Sequence, residues 1–260
     1  MSETFLTELF SLDDQVAVVI GGTGVLGGAI AEGLAGAGAA VVVAGRSEER
    51  GEKRVEMIQR QGGQATFVPV DATRRESIEA LLEAALAGRG RVDMLVNCAG
   101  TNQKSDYLDV TDDQWDAVIG SQLRATHLGC QVFSRQMIDA GGGAILNVGS
   151  VSSEVPLSGV FAYSAAKAGV VNLTKNLARE LAPHDVRVNA LCPGFFPAEQ
   201  NRQILTPERT EAIMSHTPMR RFGQPHELVG PALLLLSRSG GSFITGATLY
   251  VDGGFTAMAI

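Results

Sequence analysis

Apolar residues run along this chain in two alternating rhythms. Short runs rich in valine, isoleucine and leucine predict seven strands: VAVVI (16–20), AAVVVA (39–44), TFVPV (66–70), DMLVN (93–97), AILNVG (144–149), DVRVNAL (185–191) and TLYV (248–251). Several of these are apolar on both faces, which a sheet needs when helices cover it on each side. Between them, at about residues 25–37, 47–61, 74–88, 111–139, 161–182 and 225–237, the pattern is helical. Strands alternating with helices predict an α/β fold: a doubly wound parallel sheet with helices on both faces and right-handed crossovers. No repeat, low-complexity tract or linker divides the chain, so residues 1–260 read as one domain.

The rhythm breaks once. Residues 193–220, PGFFPAEQNRQILTPERTEAIMSHTPMR, carry four prolines and mixed polarity after the sixth strand. They follow that strand's carboxyl end, where open α/β sheets place their ligands, and the expectation is a substrate lid.

Composition narrows the picture. At 45% hydrophobic, the chain has ample material for a core, and its net charge of −7 argues against nucleic acid as a partner. No apolar run reaches the length of a membrane span, and the start MSETFLTELFSLDD lacks the pattern of a secretion signal, so the expected location is the cytoplasm. Cys98, Cys130 and Cys192 are far apart with no CxxC, which suggests packed, reduced thiols; no metal site is expected.

The first strand runs into Gly21-Gly22-Thr23-Gly24-Val25-Leu26-Gly27-Gly28 and then a helix. Glycines allow a tight turn and close backbone approach, and a helix N-terminus offers N–H groups to a pyrophosphate, so dinucleotide binding is expected. The second strand ends Ala44-Gly45-Arg46-Ser47. An acidic residue here would suit the ribose hydroxyls of NAD(H); Gly45 takes its place and Arg46 follows, which favours the 2′-phosphate of NADP(H). In the alternative, Arg46 is a solvated residue, Glu48 or Glu49 serves the ribose, and the cofactor is NAD(H). Asp71-Ala72 and Asn97-Cys98-Ala99-Gly100 end the third and fourth strands on the same sheet edge.

Tyr163 and Lys167 lie four residues apart on one helical face. A nearby ammonium favours the phenolate and fits Tyr163 for acid–base work, and Ser150 at the end of the fifth strand could hydrogen-bond the reacting oxygen.

The glycine loop, Asp71, NCAG, the Ser150–Tyr163–Lys167 spacing, Arg187-Val188-Asn189-Ala190, Pro193-Gly194 and the terminal VDGG (251–254) occur in order. Over nearly all its length the chain resembles a short-chain dehydrogenase/reductase, which implies a Rossmann-like fold and interconversion of a carbonyl and a secondary alcohol. The resemblance implies that Tyr163 donates the proton in reduction, Ser150 polarises the carbonyl, and Lys167 tunes Tyr163 and holds the nicotinamide ribose. It implies Gly21, Thr23 and Leu26 along the phosphates and Asp71 and Ala72 at the adenine; Gly24, Arg46 and Ser47 are further expected cofactor-binding positions. Asn97, Ala99 and Gly100 fall on the adenosine-side ribose and backbone path, and Pro193 and Phe196 flank the nicotinamide.

Four positions depart from that pattern: Ile20 replaces a threonine, Val25 a glycine, Gln122 an asparagine and Ala198 a threonine. The asparagine supports a helix kink and a water linked to the lysine; Gln122 keeps the amide but is one methylene longer.

The segments 193–202 and 216–223 are similar to those of fructuronate, mannonate and gluconate-type enzymes, suggesting a keto-sugar acid, uronate or polyol. Glu199, Gln200, Asn201 and Arg202 in the lid suit a hydroxylated substrate. Arg202 is placed to pair with a carboxylate, and Asn102, Gln103 and Lys104 to bind hydroxyls. The alternatives are that this polarity only faces solvent, or that Phe195 and Phe196 wall a site for a small apolar ketone or ketoacyl substrate. A dinucleotide-binding sensor or scaffold with little turnover is a further alternative. The apolar stretches 228–239 and 243–254 resemble the family's tetramer-forming elements, implying a homotetramer.

Overall fold

Seven parallel strands make one sheet in the computed structural model, which describes residues 3–196 and 206–258. They are β1 (Val16–Ile20), β2 (Ala40–Gly45), β3 (Gln64–Pro69), β4 (Met94–Asn97), β5 (Gly143–Val148), β6 (Val186–Pro193) and β7 (Thr248–Val251), in the order β3-β2-β1-β4-β5-β6-β7. From β1 the chain winds outward to β3, then returns to β4 and winds the other way. That reversal opens a crevice between the carboxyl ends of β1 and β4. Ile20 pairs with both Ala44 and Asn97, so β1, β2 and β4 end level at its rim.

Alternation along each strand explains the fully apolar runs. Ala17, Val19, Val41, Val43, Val96 and Leu146 enter one core layer with helices α2 (Val25–Gly36) and α3 (Glu48–Arg60). Val18, Ile20, Val42, Ala44, Leu95 and Ile145 enter the other with α4 (Arg75–Arg89) and a later helix. Each fully buried aliphatic side chain contributes about 1.5–3 kcal/mol.

The stretch expected as one helix over 111–139 is α5 (Asp112–Ile119), a π-helical turn over Gly120–Arg124, and α6 (Ala125–Asp139). Thr111 caps its start through a capping box with Gln114. Helix α7 (Phe161–Leu181) then leads into β6. In the described part of the expected lid lies a helix that the sequence pattern did not announce, α8 (Pro207–Ser215), capped by Thr206. The helix expected over 225–237 is a 3-10 turn, Pro225–Leu228, followed by α9 (Val229–Leu236). A short helix, α1 (Glu3–Phe10), precedes the sheet; the Leu9 carbonyl accepts from the Gly240 N–H at 3.1 Å.

Arg187 on β6 donates to the carbonyls of Leu235 (2.7 Å), Leu236 (3.0 Å) and Ser237 (3.0 Å) at the end of α9, and to Ile244 (3.2 Å). Asn189 donates to Ile244 and accepts from the Ala247 N–H, so β6 holds the segment that becomes β7. Beyond β7, the Asp252 carboxylate accepts from the N–H groups of Gly254 and Thr256 and from the Thr256 hydroxyl.

Candidate active site

The glycine loop forms a cradle that side chains would fill. Gly21 has φ +91°, and a Cβ on it would lie 2.6 Å from the Ala99 nitrogen; one on Gly27 would strike the Gly21 carbonyl. Gly24 caps α2 with no side-chain hydrogen bond to the helix start. The helix therefore presents backbone N–H groups to an anion, and the cradle fits the pyrophosphate of a dinucleotide. Thr23 and Leu26 are half-buried in the same loop.

On the adenosine side, a Cβ on Gly45 would lie 2.6 Å from the Thr23 hydroxyl oxygen, so the bare position at 45 makes room for Thr23. Arg46 beside it is exposed, whereas the Ser47 hydroxyl caps α3 by accepting from the Arg50 N–H. Asp71 Oδ1 accepts from the N–H and hydroxyl of Thr73. These bonds hold its carboxyl below the usual range; burial opposes them, and the charges of Arg46 and Arg74 assist. Ala72 is buried. The Asn97 amide turns into the core, donating to Asn147 Oδ1 at 2.9 Å, so Asn97 faces the crevice with backbone rather than side chain. Ala99 passes beside Gly21, and a Cβ on Gly100 would collide with the Gln122 carboxamide.

Ser150 ends β5 as the N-cap of a 3-10 turn, Val151–Ser153, with its hydroxyl accepting from the Ser152 N–H at 3.2 Å. It also hydrogen-bonds the Tyr163 phenol. Lys167, one turn along α7, is buried, donates to the Val148 carbonyl at 2.6 Å, and sits 5.6 Å from the centre of the Tyr163 ring. Burial pushes the lysine down to about 8. Burial also pushes the phenol up, against the Ser150 hydrogen bond; the ammonium is not what governs Tyr163 in this arrangement.

A family model described as enoyl-(acyl carrier protein) reductase matches residues 23–256. Gluconate 5-dehydrogenase of Gluconobacter oxydans (strain 621H) is 34% identical over 250 residues, covering 96% of this chain and 97% of that protein. Cyclopentanol dehydrogenase of Comamonas testosteroni is 36% identical over 247 residues, covering 95% and 98%. The chain belongs to the short-chain dehydrogenase/reductase family. It is an NAD(P)-dependent oxidoreductase acting on CH–OH groups. The crystal structure of a gluconate 5-dehydrogenase from Burkholderia cenocepacia J2315, in complex with NADP and tartrate, superposes with a TM-score of 0.93 at 32% identity, covering 98% of this chain and all of that one.

In this short-chain dehydrogenase/reductase, the side-chain amide of Gln122 bonds to the loop after β4. Buried in the π-turn, Gln122 donates through Nε2 to the Thr101 carbonyl at 2.9 Å, its backbone carbonyl accepts from the Thr126 hydroxyl at 2.7 Å, and its Oε1 is buried without a hydrogen-bond partner among the described residues. Asn102, Gln103 and Lys104 are exposed on the loop after β4, which docks through Ser105 N–H on the Gly159 carbonyl. Pro193 is buried at the end of β6, and Phe196 packs against the core and the backbone of Gly223. Ala198, Glu199, Gln200, Asn201 and Arg202 lie outside the described residues.

All three cysteines are free. Burial raises the Cys98 thiol, Cys130 to about 12 and Cys192 to about 11. The sequence reading did not anticipate that Cys192 backs the site: its sulfur lies against Gly149 and neighbours Ser153. Its signal was available in strand alternation, since Leu191 faces one core layer and its neighbour must face the other.

Proposed function

We propose that the chain is an NADP(H)-dependent oxidoreductase that interconverts a carbonyl and a secondary alcohol on a keto-sugar acid, uronate or polyol. The observation that carries the chemistry is the convergence of Ser150, Tyr163 and Lys167 beside the phosphate cradle. In reduction, Tyr163 Oη gives its proton to the substrate oxygen while the Ser150 hydroxyl donates a hydrogen bond to that same oxygen. In oxidation Tyr163 Oη takes the proton back. Lys167 holds positive charge behind the phenol, which favours the phenolate as the proton leaves. The bound nicotinamide supplies or accepts the hydride. Gly21, Thr23, Gly24 and Leu26 hold its phosphates, and Asp71, Ala72, Asn97, Ala99 and Gly100 line the adenosine side. Pro193, Phe196 and Lys167 hold the nicotinamide end. Gln122 completes the catalytic set with its side-chain amide, and its Nε2 also positions the loop after β4.

Arg46 supports the choice of NADP(H): it is exposed at the end of β2, and Thr23 occupies the space a side chain at 45 would need. The sugar-acid reading draws on the gluconate 5-dehydrogenases among the relatives and on exposed Asn102, Gln103 and Lys104, joined in our reading by Arg202 and a lid over about 193–220. A small apolar ketone is the second reading. It is favoured by the cyclopentanol dehydrogenase relative and by Phe195, whose ring meets that of Phe255 edge-on at 5.1 Å. Exposed Phe243 and the half-exposed edge strand β7 suit a homotetramer. Among the described residues no helix is long and apolar enough to cross a membrane, and we place the protein in the cytoplasm.

Tyr163→Phe tests the chemistry. The ring and its packing remain while Oη is lost, so kcat should fall about 10²–10⁴-fold with unchanged circular dichroism. Turnover near the parent level would overturn the mechanism.

A further inference from the structure

Gly28 ends the glycine run, yet it takes no part in the tight turn or the contact with Gly21. It lies inside α2, where alanine is intrinsically the better residue. A Cβ there would run into the guanidinium of Arg54, with Cζ, Nη2 and Nε as its nearest atoms. Arg54 comes from α3 and lies along the face of α2. Its Nη1 pairs with Glu32, one turn after Gly28, and its Nη2 donates to the Gly24 carbonyl at 3.4 Å. Both partners are largely shielded, their side chains 18% and 24% exposed. The Arg54 Nε–H is buried without an acceptor among the described residues, as expected for a guanidinium pressed flat on a glycine.

Gly24 caps the helix that offers its N–H groups to the pyrophosphate, and α3 begins directly after Arg46 and Ser47. The geometry points to Arg54 as a positioning residue for the dinucleotide: it ties the phosphate turn at Gly24 to α3, and Gly28 is bare to admit it. This rests on the dinucleotide reading of the glycine loop. A planar fork pairs with Glu32 and reaches Gly24 at once; a lysine ammonium reaches one of them. The turn is common to both cofactors, so Arg54 sets their affinity without choosing between them.

The test is cofactor binding and kinetics of Arg54→Met, Arg54→Lys, Gly28→Ala and the Gly28→Ala/Arg54→Met double variant. Each variant is read by fluorescence titration with NADPH and with NADH, and by KM and kcat at saturating substrate. The loss of one charge-assisted hydrogen bond predicts about a tenfold rise in Kd and KM for Arg54→Met with both cofactors. Gly28→Ala should match it by expelling the guanidinium, Arg54→Lys should fall between, and kcat should hold within about twofold as expected when only cofactor binding weakens. The double variant should be no worse than either single one. Should Arg54→Met fail to fold, Gly28→Ala and Arg54→Lys still decide. Unchanged Kd in the folded variants, additive losses in the double variant, or a fall in kcat at constant KM would each overturn the proposal. A parent enzyme that prefers NADH would instead refute the Arg46 reading and leave Arg54 standing.

Discussion

Lys167 carries the tension of the site in one side chain. It is an ammonium buried against a carbonyl, and burial lowers it to about 8 from an ordinary value near 10.5. Between those two values the unfolded chain binds a proton that the folded chain does not, so this group makes stability rise with pH across that window. Its contribution is complete above 10.5 and is lost as pH falls through 8. Cofactor-free denaturant titrations at pH 8 and 10 should show a smaller gain, or a larger loss, in Lys167→Met than in the parent; identical pH dependence would contradict the burial argument. The Tyr163–Lys167 spacing and Ser150 were legible in the sequence because side-chain chemistry at fixed helical spacing leaves a signature. The Val148 carbonyl was not, since any residue supplies the same backbone oxygen. Burial also reversed the expected direction at the phenol, and burial depends on packing that spacing alone does not report.

Elements were legible where apolar periodicity was long. The strand runs set the sheet because several are apolar toward both core layers, and their observed ends shift by at most two residues from the expected ones. The π-turn over Gly120–Arg124 left no such trace, because its hydrogen bonds change register without interrupting the helical run of apolar positions around it. It buries Gln122, whose Nε2 bonds to the Thr101 carbonyl. The C-terminal end of α9 shows how a single side chain organises an element. Arg187 serves three carbonyls there and a fourth, that of Ile244, ahead of β7, and Arg187→Met would remove all four hydrogen bonds. We expect a loss of about 3 kcal/mol, or a fall in Tm of about 6–12 °C for a domain of this size. A fall of under about 2 °C, corresponding to less than 1 kcal/mol on the same scale, would show that other donors replace the guanidinium.

At the scale of the molecule, alternating strands and helices gave the layers, and the glycine loop after the first strand marked where the sheet reverses and a ligand sits. Substrate choice was the least legible property. Loop residues such as Asn102, Gln103 and Lys104 carry no periodic signature, and relatives of similar identity are named for gluconate and for cyclopentanol. We propose above all an NADP(H)-linked interconversion of carbonyl and alcohol on a keto-sugar acid, uronate or polyol. Its most direct measurement is kcat/KM for the purified enzyme with NADPH and NADH against a keto-sugar acid, a uronate and cyclopentanone. The account predicts at least about a tenfold preference for NADPH, the size of one phosphate–arginine interaction, and faster turnover of the acid substrates. Preference for NADH, exclusive activity on cyclopentanone, or cofactor binding with no turnover of any of the three would contradict it.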